Sequence, residues 1–224
     1  MKTKMKTKMK TKVFLSVLTI AITFMGCTKD SPDPVETVIT DTVSELDGQA
    51  DTVVMGQFGP TIVSGDYTKF SFSEGTVVDG DNWDVAFRAT RIIVNGGIAS
   101  DTLAPDRTGN AAVYIIGGEM GNITSVNEDL LRQDDATSPA IIDDYGFPIP
   151  PATEPLGWCL YDHLTNVVSP RAGKILVFRT HDNKYAKVEI TFFYDTPNPP
   201  SSQTDVGGFY TFNYVYQSDG GTTF

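Results

Sequence analysis

GWCLYDHLTNVVSPRAGKILVFRTHDNKYAKVEITFFY, residues 157–194, carries the clearest structural signal in the chain. In its second half Val188, Ile190, Phe192 and Tyr194 alternate with Lys187, Glu189, Thr191 and Phe193. A period of two sets one apolar face against a core and predicts a strand. Just upstream, Ile175, Leu176, Val177 and Phe178 form a continuous apolar run, the pattern of a strand buried on both faces. Between them stand His181, Asp182 and Asn183. Asp and Asn tolerate left-handed backbone, so the two strands are expected to close as a hairpin. This stretch sets an architecture and contains no reaction chemistry.

Outward from it the same grammar repeats. Phe70 and Phe72 alternate with Ser71 and Ser73, and Trp83, Val85 and Phe87 with Asp84, Ala86 and Arg88. Residues 91–94 run into Asn95-Gly96-Gly97, a turn signal, and residues 111–116 end at Gly117-Gly118. Tyr210, Phe212, Tyr214 and Tyr216 share one face of a closing strand. Strand-length pieces rich in β-branched and aromatic residues predict an all-β fold, mostly antiparallel and built from two sheets. Ser125 and Glu128 have capping-box spacing ahead of Leu130 and Leu131, which allows one or two helical turns. Residues 133–156 are acidic and proline-rich, a long loop in which the Asp134-Asp135 and Asp143-Asp144 pairs read as solvated turns.

The N-terminus predicts the compartment. Six lysines precede an apolar run of 13 residues from Val13 to Met25, shorter than the ~20 that a membrane-spanning helix needs. A basic region, a short apolar region and a small residue describe a secretory signal peptide over residues 1–26. Gly26-Cys27 resembles the lipobox of bacterial lipoproteins, which implies a lipid on Cys27 and stable anchoring to a membrane. Lys29-Asp30 loosely resembles a surface-export signal of Bacteroidetes lipoproteins. Residues 27–50, rich in Asp, Thr, Ser and Pro, read as a flexible tether, and residues 51–224 as the β domain. Losing residues 1–26 removes six lysines and no acid, leaving 11 basic against 28 acidic side chains and moving the net charge from −11 to −17. Such a field disfavours nucleic acid and anionic membrane surfaces. Cys159, the second of two cysteines, then has no internal disulfide partner and is expected to be buried as a small hydrophobe between Trp158 and Leu160. A nucleophilic Cys159 would need a base, for which His163 is the near candidate.

These segments together resemble one family. The lipobox, the run from Trp83 to Arg88, the run from Arg91 to Gly97, the run from Gly173 to Thr180 with Lys184 to Lys187, and Tyr210 to Tyr214 are similar to the HmuY-like haem-binding lipoproteins of Bacteroidetes. The resemblance implies a mostly antiparallel β domain that takes haem outside the cell. It also implies a lipid-anchored place on the outer membrane, facing the exterior, and delivery of haem to an outer-membrane TonB-dependent receptor. In that family haem iron is held by paired His or by Met. Iron needs an imidazole nitrogen or thioether sulfur within a slot of apolar walls, and beyond the signal the chain offers only His163, His181, Met55 and Met120. Met120, in Gly117-Gly118-Glu119-Met120-Gly121, is the first candidate axial ligand, because flanking glycines let backbone approach a flat guest; the alternative is a gap-filling core Met. His163, after Tyr161-Asp162, is the second, although the family places its His nearer the Val-Ser-Pro segment, where Asn166 stands. His181 reads as a turn residue and Met55 as core. A one-ligand site, a non-haem ligand or an adhesion role remains open on the residues alone. An enzyme is not expected: no G-x-S-x-G, H-E-x-x-H, Walker loop or C-x-x-C is present.

Overall fold

A computed structural model describes residues 37–56, 59–100, 102–141, 157–162, 164–196 and 205–224, with side chains 55–63 left aside. The strands in chain order are β1 (Val38–Asp47), β2 (Thr52–Gly56), β3 (Gly59–Ser64), β4 (Thr68–Ser71), β5 (Thr76–Val77), β6 (Val85–Arg88) and β7 (Arg91–Val94). They continue as β8 (Ala112–Gly117), β9 (Cys159–Asp162), β10 (Val167–Pro170), β11 (Lys174–Arg179), β12 (Tyr185–Tyr194) and β13 (Gly207–Gln217). A five-stranded sheet has the order β1-β13-β12-β11-β8 and a four-stranded sheet the order β5-β4-β6-β7; β2–β3 and β9–β10 are separate two-stranded ribbons. All the strand pairs are antiparallel. The all-β, two-sheet expectation holds.

The inner faces of the two sheets meet in one core. Leu176 and Phe178 of β11, Val188 and Ile190 of β12, and Tyr210, Phe212, Tyr214 and Tyr216 of β13 pack with Phe70, Val85, Phe87, Ile92 and Val94 of the smaller sheet. Strand alternation sends the intervening residues outward. Ile175 and Val177 join Tyr114 in a satellite cluster outside the larger sheet, and Ala86 and Ile93 join Tyr67 and Trp83 outside the smaller one. β11 is therefore buried on both faces, as its continuous apolar run predicts. The β11–β12 hairpin closes through residues 180–184 with Asn183 in left-handed backbone at φ 64°, a conformation Asn accepts at low cost.

Four expectations need correction. First, β1 lies inside the stretch read as a tether: Val38–Asp47 pairs along β13, and Leu46 is buried in the core. An edge strand needs few apolar side chains, because its neighbour's backbone supplies the hydrogen bonds. Second, the alternation in β12 breaks. Register shifts beyond Ile190 turn Phe193 into the core at 4 % exposure, against Trp158 at 5.6 Å and Tyr210 at 5.2 Å between ring centres. Phe192 is only partly buried. Third, Asp134 is no solvated turn residue. It is 3 % exposed and receives Arg107 at 2.9 Å together with the Val94 and Ala140 amides; Asp135 alone faces solvent, capping Thr137 and Ser138. Fourth, the helical turn at Glu128–Leu130 is capped by Asn127, whose side chain accepts the Asp129 amide, and not by Ser125, which bridges to Thr223. Asp143 and Asp144 lie outside the described residues.

Candidate ligand-binding site

Beyond Gly117 the chain folds back over the outside of the larger sheet. Gly118 N–H donates to Gly173 O at 2.9 Å, a short 3-10 turn forms at Met120–Asn122, and Val126 and Phe224 pair with Thr222 and Thr124. Met120, Ile123, Val126, Leu131 and Phe224 then cover the satellite cluster. Met120 is half-buried there. Behind it, Lys187 donates from Nζ to Met120 O at 3.0 Å and Ile123 O at 2.7 Å, and lies 4.8 Å from the centre of the Phe224 ring. Burial lowers the Lys187 ammonium from its ordinary pKa. Nearby, burial and the Glu128 carboxylate, which accepts its hydroxyl, push the Tyr185 phenol up to about 12.

The glycines around Met120 differ from those elsewhere. At Gly96 a Cβ would fall 2.0 Å from Ala111 O, so packing alone demands glycine. At Gly117 and Gly121 a Cβ would meet nothing within 4 Å, and neither has positive φ. Each gives up about 0.5–1 kcal/mol of backbone entropy relative to Ala without a packing reason among the described residues.

The β9–β10 ribbon stands at the same end of the sheet, just ahead of β11. Its root is fixed by Arg171, which donates from its amide to Trp158 O and from Nε to Cys159 O, and by Trp158 Nε1, which donates to Thr90 O at 3.1 Å. Cys159 is a fully buried thiol, as expected. The ribbon is pinned to β12 where the Val168 amide donates to Tyr194 Oη at 2.7 Å. Asn166 takes left-handed backbone at φ 57° and accepts the Tyr161 hydroxyl, so this Asn serves the turn of the ribbon. The far side of the ribbon exposes Leu160 and Leu164, the latter at 81 %. His163, beside Leu164, lies outside the described residues, as does Cys27. The structure thus joins the Met120 turn to the root of the β9–β10 ribbon through Gly118 and Gly173. Met55 is on β2.

His181 is a turn residue with a second function. Its amide and its Nδ1 both meet Oδ1 of buried Asp84, at 2.8 and 2.7 Å, while the other Asp84 oxygen accepts the Phe72 amide. Ligating atoms of Asp84, His181 and Asp182 lie within 4.8 Å of one another, a spacing that would suit a metal ion. Each is already engaged, however: Asp84 with His181, and Asp182 with Lys184 at 3.3 Å and the Thr180 hydroxyl at 2.7 Å. The cluster acts as a latch from the β11–β12 loop to β6. A groove of about 630 Å³ lies elsewhere, lined by Asp47, Gln49, Asp51, Asp66 and Thr68. It offers carboxylates without imidazole or thioether and does not suit haem iron. Lys187 and Asp84 were invisible as contributors in sequence, because period-two alternation reads both simply as outward polar residues.

Fold and site define an antiparallel β domain of two sheets with an arm folded over the outside of the larger one. No protein-family profile and no curated protein matches the chain. Among solved structures it is similar to a Bacteroides fragilis protein assigned to the lipoproteins, at 13% identity and TM-score 0.44, over 83% of this chain and 94% of that one. It is also similar to a Bacteroides vulgatus protein assigned as HmuY-like and haem-binding, at 14% identity and TM-score 0.43 over the same shares. A third similar structure is the apo form of an HmuY analogue from Tannerella forsythia, at 16% identity and TM-score 0.42, over 83% and 99%. Among the described residues no helix is long and apolar enough to cross a membrane.

Proposed function

We propose that this chain is a surface lipoprotein, anchored through Cys27, that binds haem non-covalently with Met120 and His163 as axial ligands. It would then pass haem to an outer-membrane TonB-dependent transporter. The observation that carries the reading is the pair of open glycines, Gly117 and Gly121, on either side of Met120. Bare backbone with free space above it admits a flat guest to the thioether. Exposed Leu160 and Leu164, which flank His163 in sequence, supply apolar surface of the kind a porphyrin face covers. Haem, when bound, would supply an iron that takes a thioether or imidazole on its axis. The chain's own contribution is to hold Met120 on the arm over the larger sheet.

The test is a spectroscopic haem titration of residues 28–224 in ferric and ferrous states. Wild type should develop a haem absorbance band that weakens in Met120→Ala and in His163→Ala. A chain that stays colourless would sink the haem reading and leave a related fold serving a different ligand or an adhesive role.

A further inference from the structure

We infer that Lys187 is the positioning residue of the Met120 turn, a claim that rests on the reading of Met120 as a ligand. Lys187 sits mid-strand in β12, opposite Val177 and Val215, and is 6 % exposed. On that face it borders the cluster of Tyr114, Ile175 and Val177, with Tyr185 and Glu189 two residues to either side along β12. Lysine is almost never this buried unless paired, and no carboxylate pairs with it among the described residues. A Leu or Met there would extend the cluster without desolvating a charge.

What the ammonium does instead is bracket the turn. It donates to the carbonyls of Met120 and Ile123, one at each end, and the ring of Phe224 closes over it. Charge-assisted bonds of this kind are about twice as strong as neutral ones. Besides the packing of Met120 and Ile123 on the satellite cluster, the turn has few bonds of its own. Its N-cap Glu119 makes no side-chain cap, none of its three residues is buried, and its own bonds, Asn122 N to Glu119 O and Ile123 N to Met120 O, are 2.9 and 3.3 Å. Lys187 therefore fixes where the backbone of Met120, and with it the thioether, stands over the sheet.

The experiment compares wild type, Lys187→Met and Lys187→Arg as full chains in detergent micelles, by amide hydrogen exchange and by ferrous haem titration. In Lys187→Met the β11–β13 amides should keep their protection while Asn122 and Ile123 exchange at least about tenfold faster. Haem affinity should fall about 10- to 100-fold, the loss typical when a group orienting a metal ligand is removed, and the spectrum should move toward that of Met120→Ala. Lys187→Arg should recover part of both. Unchanged exchange at Asn122 and Ile123 with the sheet intact overturns the proposal. So does faster exchange with a haem titration identical to wild type. A wild-type chain that takes no haem overturns the ligand reading and the positioning role with it, whereas the exchange rates still report the staple by themselves. Should Lys187→Met lose protection throughout β11–β13, Lys187→Gln, whose amide can donate to one carbonyl, carries the same comparison.

Discussion

His181 shows how one side chain couples the two sheets to pH. The hydrogen bond that its ring donates to Asp84 raises its pKa above the ordinary 6.5; partial burial opposes this, the charges of Asp84 and Asp182 add to it, and Lys184 subtracts. A His whose folded pKa is raised contributes stability that is complete below the free-imidazole value and is lost as pH rises through the folded value. His181→Ala should therefore reduce stability more at about pH 5.5 than at about pH 8.5, measured as urea midpoints at both values; an equal or reversed gap removes the latch. The backbone half of the latch, His181 N–H to Asp84, persists at either pH and in the variant. Asp134 makes the opposite point. Burial pushes its carboxyl up, while the Ala140 amide, Arg107 and the Val94 amide pull it down. Its bonds to Arg107 and to the Val94 and Ala140 amides tie β7 to the loops that follow.

At the scale of elements, β12 decides how the ribbon beneath the candidate site is seated. Its irregular end sends Phe193 between Trp158 and Tyr210 and leaves Phe192 at the rim. Phe193→Ala should cost about 3–5 kcal/mol, and Phe192→Ala less than about half of that, by equilibrium denaturation. The regular alternation of the sequence predicts the reverse order, so the comparison separates the two registers directly. The same irregularity carries Tyr194 to Val168, which holds the β9–β10 ribbon in place.

Across the whole molecule, the largest core among the described residues takes side chains from both sheets, and the clusters outside each sheet are small beside it. Unfolding should consequently be a single transition. Trp83 lies outside the smaller sheet and Trp158 in the shared core, so tryptophan fluorescence and far-ultraviolet circular dichroism should give coincident urea curves. Two separated midpoints would mean that the sheets stand independently.

By itself the sequence determined the all-β class, the double burial of β11, the hairpin at Asn183, the aromatic face of β13 and the burial of Cys159. Each follows from residues close together in the chain: alternation is a local property of extended backbone, and the tolerance of Asn for left-handed backbone is a property of the single residue. The tertiary structure alone decided that Val38–Asp47 is a strand, that Phe193 displaces Phe192 from the core, that Asp134 is buried and that Lys187 lies under the Met120 turn. In each of these the deciding partner comes from elsewhere in the fold, namely β13, Trp158, Arg107 and a folded-back arm. Whether a polar residue on a strand meets water or a carbonyl depends on what the rest of the chain lays over it, and alternation carries no record of that.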